Sequence, residues 1–411
     1  MTGEILFLAH RMPFPPDRGD KIRSHHILKA LAELAPVHVA TFVDADSDWR
    51  HASGLGRLAA SVCLVDRTKP VWRAAVEALV RREPVSLAAF RHRQIAQYVE
   101  QLLAARPIEA IYVFSGQMGQ YVPADFAGRV IVDLVDVDSA KFGAYAAAKV
   151  WPLGTIDARE SRLLRGEEER LAHRADHTLL VSDAEAELLR SRLADPANAQ
   201  VTALQNGIDV DIFDPAQVAP EASLAAAPGP HLVFTGQMDY APNVAAARRV
   251  IHFILPAIRQ HHPYAQFHVV GRAPTRELRA HDWHHGVRVW GEVADVRPFL
   301  AAADVVVAPL DIARGVQNKV LEAMAMARPV VLTPGAATGI GADESRHFAI
   351  EESDGAFAAR VLSLLANRGA AQAMGEAARQ FVVDRRTWRA TLAELPALIG
   401  RGGPVGRRDA A

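Results

Sequence analysis

Lys319 and Glu322 stand three residues apart in the segment GVQNKVLEAMAMARPVV, residues 315–331. That spacing puts both on one face if the segment is helical. The stretch from Asp304 to Val331 reads as strand, glycine turn, helix and strand. Val305, Val306 and Val307 form a β-branched run ended by Pro309, Gly315 permits a sharp turn, a helix is expected over 316–326, and Pro329 opens the next strand. A helix entered in this way offers unpaired amides and the positive end of its dipole to an anion lying over Gly315 and Val316. Lys319 can add a point charge to a diphosphate. Glu322, one turn further on, can accept hydrogen bonds from two vicinal hydroxyls, as on a ribose. An ordinary amphipathic helix with a surface Lys–Glu pair would use the same residues, so the pattern needs support from elsewhere in the chain.

Two further loops carry groups of chemical interest. HRMPFPPDRGDKIR (10–23) follows the apolar run Glu4–Ala9 and precedes a helix. Gly19 could bring backbone close to a ligand there, with Lys21 and Arg23 offering positive charge; a solvated loop is the plain alternative. VDVDSAK (135–141) follows the run VIVDL. Asp136 and Asp138 have the spacing of a metal-binding DxD, but Asp44/Asp46 and Asp209/Asp211 repeat it, so a metal is not inferred. A substrate-facing role for Asp136 or Lys141 is expected instead. Gly54–Ala59 superficially matches a dinucleotide fingerprint, but it follows no strand and lacks the acidic residue at the right offset.

These loops need an alternating α/β framework to hold them. Strands are expected at Glu4–Ala9, Val37–Val43, Ala110–Phe114, Val130–Leu134, His177–Val181 and from Val201. The stretch Ser47–Arg106 is Ala- and Arg-rich and reads as mostly helical. A second series follows the Ala/Pro-rich stretch Pro215–Pro230, with strands at Leu232–Thr235, Gln266–Val270, Val287–Trp290, Val305–Ala308 and Val330–Thr333. Gly236 and Gly271 directly follow two of these strands and Gly291 a third, which places all three at the carboxyl edge beside the Lys319 helix. Helices are expected at Asp354–Leu365, Ala370–Val382 and Trp388–Ile399.

The 411 residues exceed one ordinary core, and a net charge of −1 gives no sign of a nucleic-acid-binding protein. Cys63 is the only cysteine, which excludes an intrachain disulfide and fits a reducing, cytoplasmic setting. Met1–Ala9 reads as a first strand rather than a signal peptide, and no apolar run reaches the ~18 residues of a membrane span.

Four segments together carry a resemblance: PFPPDRGDKIR, QNGIDVDIFDP, FTGQMDYAPN and GVQNKVLEAMAMARPVV. The chain resembles GT-B retaining glycosyltransferases of family 4 (glycosyltransferase group 1) over nearly its whole length. With DLVDVDSAKF it looks more narrowly like the exosortase/PEP-CTERM-associated sugar transferases of exopolysaccharide clusters. The resemblance implies an α/β fold of two Rossmann-like parallel-sheet domains facing across a cleft. An acceptor domain would span 1–212 and a donor domain 213–383, with helices at 384–400 crossing back to the first and a flexible tail at 401–411. It implies no cofactor and no metal, with a UDP- or GDP-sugar as donor substrate. Glu322 would bind the ribose hydroxyls, Lys319 would face the diphosphate, and Gly315 would turn beneath it. Gly236 and Gly271 would admit the donor, with Gly19 and Arg23 brought to the phosphates on domain closure. Catalysis would rest on Lys319 and Arg272, with Asp136 facing substrate. The implied acceptor is a glycan or polyprenyl-linked saccharide, and a peripheral contact with the inner face of the cytoplasmic membrane is left open.

Three departures from the family pattern stand out. Arg314 occupies the place of a glutamate that contacts the transferred sugar, with Asp311 the nearest substitute. GQMDYAPN lacks the usual Arg/Lys pair, so Arg272 would supply that charge unless it is tied up in a structural ion pair. Ala327 replaces the glycine that usually ends the helix, at a small cost if its φ is positive. A degenerate nucleotide- or glycan-binding protein and a sugar-nucleotide epimerase of the same fold are the alternatives.

Overall fold

The computed structural model describes residues 3–16, 18–149, 152–311 and 316–401. Arg314, Gly315 and the tail from 402 lie outside them. The chain divides into two compact units, Met1–Gln205 with Leu392–Ala411, and Asn206–Thr391.

The first unit is built on β1 (Glu4–Ala9), β2 (Val37–Val43), β3 (Ser61–Asp66), β4 (Ile108–Phe114), β5 (Arg129–Val135), β6 (His177–Leu180) and β7 (Val201–Ala203). All pair in parallel, in the order β3-β2-β1-β4-β5-β6-β7. Every residue of β1 and β2 is buried. Parallel sheets with helices on both faces require such unbroken apolar strands, which is why these were easy to read. The strand order reverses between β1 and β4, so their carboxyl ends diverge and open a crevice. Residues from Leu392 belong to this unit: Arg129 donates to the carbonyl of Leu398 (3.1 Å), and Arg401 to that of Leu34 (2.9 Å).

The second unit carries β8 (His231–Thr235), β9 (Gln266–Val270), β10 (Val287–Gly291), β11 (Val305–Ala308), β12 (Val330–Leu332) and β13 (Ala349–Ile350), all parallel, in the order β10-β9-β8-β11-β12-β13. Its reversal falls between β8 and β11. Gly236 follows β8 directly, and the Lys319 helix (Asn318–Ala325) follows β11.

Some elements differ from expectation. β3 lies inside the stretch read as helical; its apolar run Val62–Val65 is short and sits at the sheet edge. The discounted fingerprint Gly54–Ala59 falls largely within a helix, Ala52–Leu58. The expected last helix breaks into Trp388–Thr391 and Leu395–Leu398, with Pro396, which has no amide hydrogen, in the first turn of the second piece. The Lys319 helix ends as the missing glycine suggested: Ala327 has φ +52°. Among the described residues, no helix is long and apolar enough to cross a membrane.

Candidate active site

The carboxyl edge of the second sheet is held together by backbone beyond the strand ends. The Gly236 amide donates to the Val270 carbonyl (3.0 Å), and the Gly271 amide to the Gly291 carbonyl (2.9 Å). Gly271 has φ +147°, and a Cβ on it would stand 1.7 Å from the Gly236 carbonyl oxygen. Gly236 has φ +154°, and a Cβ there would stand 2.9 Å from Asn243 Nδ2 and 3.1 Å from Lys319 Nζ. Only glycine at both positions lets the two loops close on each other with an ammonium group beside them.

Lys319 reaches that edge from its helix. Its ammonium donates to Asn243 Oδ1 and lies 4.7 Å from the centre of the Phe234 ring. Asn243 is buried and fixed by its own Nδ2, which donates to the Gln237 carbonyl (2.9 Å). Burial pushes the Lys319 pKa down to about 8, against the pull of Glu322. Glu322 is half-buried, and burial pushes its pKa up to about 7, against the pull of Lys319. Among the described residues the Glu322 carboxylate accepts no hydrogen bond and forms no ion pair. A half-desolvated carboxylate without donors gains most from a ligand that brings hydroxyls. Gln317, at the N-cap of the Lys319 helix, makes no side-chain hydrogen bond to the first amides of that helix.

Arg272 is exposed at the same edge. Its guanidinium donates to Gln237 Oε1 (2.8 Å), its carbonyl accepts from the Met238 amide (2.9 Å), and it forms no ion pair among the described residues. Asp311 is exposed and paired with Arg249 (2.7 Å), which neutralises the carboxylate nearest to the Arg314 position.

In the first unit the structure separates residues that the sequence grouped. Gly19 begins the helix Gly19–Leu34, is exposed, and has open space where a Cβ would be. Arg23 is not the free cation expected on that loop. It is 1% exposed, its Nε donates to Asp133 (3.0 Å), and it also donates to the Leu204 carbonyl (2.6 Å). Tyr112 donates to the same Asp133 oxygen (2.9 Å). One turn of helix had placed Arg23 facing inward, and a buried carboxylate took the charge. Lys21 is likewise buried, on Asp48 (2.9 Å). Asp136 follows β5 immediately after Val135, whose φ of +69° is strained for a β-branched residue. Its side chain remains exposed; desolvation, then Glu185 and Asp138, push its pKa up to about 6. Lys141 pairs with Asp138 (2.9 Å).

Asn243, in contact with Lys319, is the residue of this candidate site that sequence reasoning missed. Its only signal was its place at the end of FTGQMDYAPN, where an asparagine after proline reads as a helix start. The position assigned to Gly315 lies outside the described residues.

Residues 229–367 match the family model Glycosyl transferases group 1. Among solved structures the chain is similar to HepE of Anabaena in complex with UDP-glucose, at 14% identity and a TM-score of 0.60, covering 96% of this chain and 98% of that one. It is similar to the sucrose-phosphate synthase of Thermosynechococcus elongatus, at 16% identity and TM-score 0.63, with coverage of 96% and 98%. It is also similar to WaaG, a glycosyltransferase involved in lipopolysaccharide biosynthesis, at 15% identity and TM-score 0.62, with coverage of 96% and 100%. No curated protein matches the chain. At these identities the likeness concerns the fold, which is GT-B: two Rossmann-like units with parallel sheets. The matched segment contains Gly236, Asn243, Gly271, Arg272, Lys319 and Glu322, and together with the fold it supports a GT-B glycosyltransferase.

Proposed function

We propose that the chain transfers a hexosyl-type sugar from a nucleotide-diphosphate sugar to a glycan or lipid-linked acceptor, with retention of anomeric configuration, in exopolysaccharide synthesis of the exosortase-associated type. The observation that carries this reading is the presence at one sheet edge of a half-desolvated ammonium, Lys319, and of a carboxylate, Glu322, with no donor among the described residues. Those are the complements of a diphosphate and of a ribose diol. A neighbour of the same fold crystallised with UDP-glucose supports a nucleotide-sugar donor.

The difficult step in such a transfer is departure of the nucleoside diphosphate, whose oxygens gain negative charge. Lys319, held in place by Asn243 and Phe234, needs no reorganisation to meet that charge, and the helix amides and Arg272 add to it. Glu322 fixes the ribose and so the position of the scissile bond. The acceptor hydroxyl then attacks from the face the leaving group vacates, and the departing phosphate takes its proton. Asp136, with its raised pKa, is the substrate-facing group of the first unit. Removal of one preorganised charge costs about a hundredfold or more in turnover. Release of UDP or GDP in the presence of lipid-extracted saccharides should therefore fall by that factor in Lys319→Ala, and near-normal turnover would refute the reading. Asp136→Asn should lower turnover with acceptor while leaving donor affinity unchanged, and proton NMR of the new anomeric centre tests retention. A protein that binds the donor without transferring it is favoured by one observation, the commitment of Asp311 to Arg249. Donor binding with no turnover on any acceptor would establish it.

A further inference from the structure

We propose that the outward face of the helix Val71–Arg81 docks on an anionic lipid bilayer. A surface helix normally turns its large apolar residues inward. This one does the reverse. Ala74 and Ala78 are its buried residues, packed with Ala88, while Val71, Trp72, Val76, Leu79 and Val80 are 54% to 80% exposed. At about 100° per residue these five side chains fall within half of the helix circumference. Arg159, on the helix Leu153–Arg174, donates to the carbonyls of Ala78 (3.1 Å) and Glu83 (3.3 Å). Ile156, one turn before Arg159 on that helix, is 56% exposed. So large an apolar face calls for an occupant.

Charge identifies which occupant. Between Arg67 and Arg82 the chain has five cations and one carboxylate, in a protein of net charge −1. The carboxylate, Glu77, is taken up by Lys69 (2.9 Å) and Arg91 (3.0 Å). Arg73 and Arg82 form no ion pair among the described residues. A second copy meeting this face through a two-fold axis would set the same arginines against one another. Lipid phosphates instead complement them, while Trp72 and the aliphatic side chains enter the acyl boundary. The inference deepens the transferase reading and rests on it for a lipid-linked acceptor, though not for the surface itself.

The test sediments the full chain with vesicles of phosphatidylcholine alone and of phosphatidylcholine mixed with phosphatidylglycerol. Binding to the anionic vesicles is expected, with little to the neutral ones. The triple variant Trp72→Ser, Val76→Ser, Leu79→Ser should bind on the order of a hundredfold more weakly. Arg73→Gln with Arg82→Asn should lose about fivefold per charge, on anionic vesicles only; asparagine tolerates the left-handed φ of +56° at residue 82. The docking surface is refuted if the wild-type chain ignores anionic vesicles, if the serine variant sediments as well as wild type, or if the chain elutes as a dimer that the serine variant dissolves. A nucleotide-induced thermal shift, measured on the same preparations, separates the two readings. Vesicle binding lost with the shift intact refutes docking alone, and the shift absent with vesicle binding intact refutes the transferase alone.

Discussion

The affinity for a nucleotide sugar should pass through a maximum near pH 7.5. Lys319 must be charged to meet a diphosphate, and Glu322 must be ionised to accept from two ribose hydroxyls. The unliganded site holds these groups at about 8 and about 7. Binding a dianion raises the Lys319 pKa again, so above pH 8 binding takes up a proton and weakens as pH rises. Donating two hydroxyls to Glu322 lowers its pKa, so below pH 7 binding releases a proton and weakens as pH falls. The product of the two competent fractions is largest midway and about sixfold smaller at pH 6 and at pH 9. An esterified diphosphate keeps its charge across this range, so the profile reports the protein. Isothermal titration with the responding UDP- or GDP-sugar from pH 6 to 9 measures it directly. Lys319→Met should remove the alkaline limb and Glu322→Gln the acid limb, each from a lower maximum. A flat wild-type profile, or limbs that survive both substitutions, would refute the placing of the donor against these two residues.

Other consequences follow from single contacts. Gly271→Ala forces a methyl onto the Gly236 carbonyl and should destabilise the second unit by roughly 1–3 kcal/mol in chemical denaturation. Asp133→Asn removes the charge that balances buried Arg23 and should cost about 3–5 kcal/mol of stability. Nucleotide affinity should stay unchanged, since this charge serves the core of the first unit. Asn243→Asp sets a carboxylate against Lys319 where the diphosphate must bind. It should weaken nucleotide-sugar binding about tenfold and move the alkaline limb upward, both measurable in the same titration.

The sheet strands were legible because a parallel sheet covered on both faces requires continuous apolar runs, and Glu4–Ala9, Val37–Val43 and Val305–Ala308 are such runs. The edge strand β3 was not, because a short strand at the margin needs less apolar sequence and its neighbours favour helix. At the candidate site, Lys319, Glu322, Gly236 and Gly271 could be singled out because each answers to a local rule: spacing along a helix, or glycine at a strand end. Arg23 and Lys21 defeated that kind of reading. Whether a cation faces a ligand or a buried carboxylate depends on Asp133 and Asp48, 110 and 27 residues further along. Asn243 was hidden for the same reason, since its role exists only through a contact 76 residues away. The apolar face of Val71–Arg81 was invisible too. Its composition resembles that of any amphipathic helix, and only the structure tells which side is covered.

A thermal-shift titration of UDP, GDP, ADP, dTDP and their common sugar conjugates, in the wild-type chain and in Glu322→Ala, tests the central claim most directly. A ligand that binds only the folded protein adds about 2.7 kcal/mol of stability at a hundredfold excess over Kd. One base should respond in the wild-type protein, with the response lost or greatly reduced in Glu322→Ala, whose own stability should change little because among the described residues the carboxylate accepts no hydrogen bond. Stabilisation of equal size in both proteins would move the nucleotide away from this helix, and no response to any nucleotide would contradict the account.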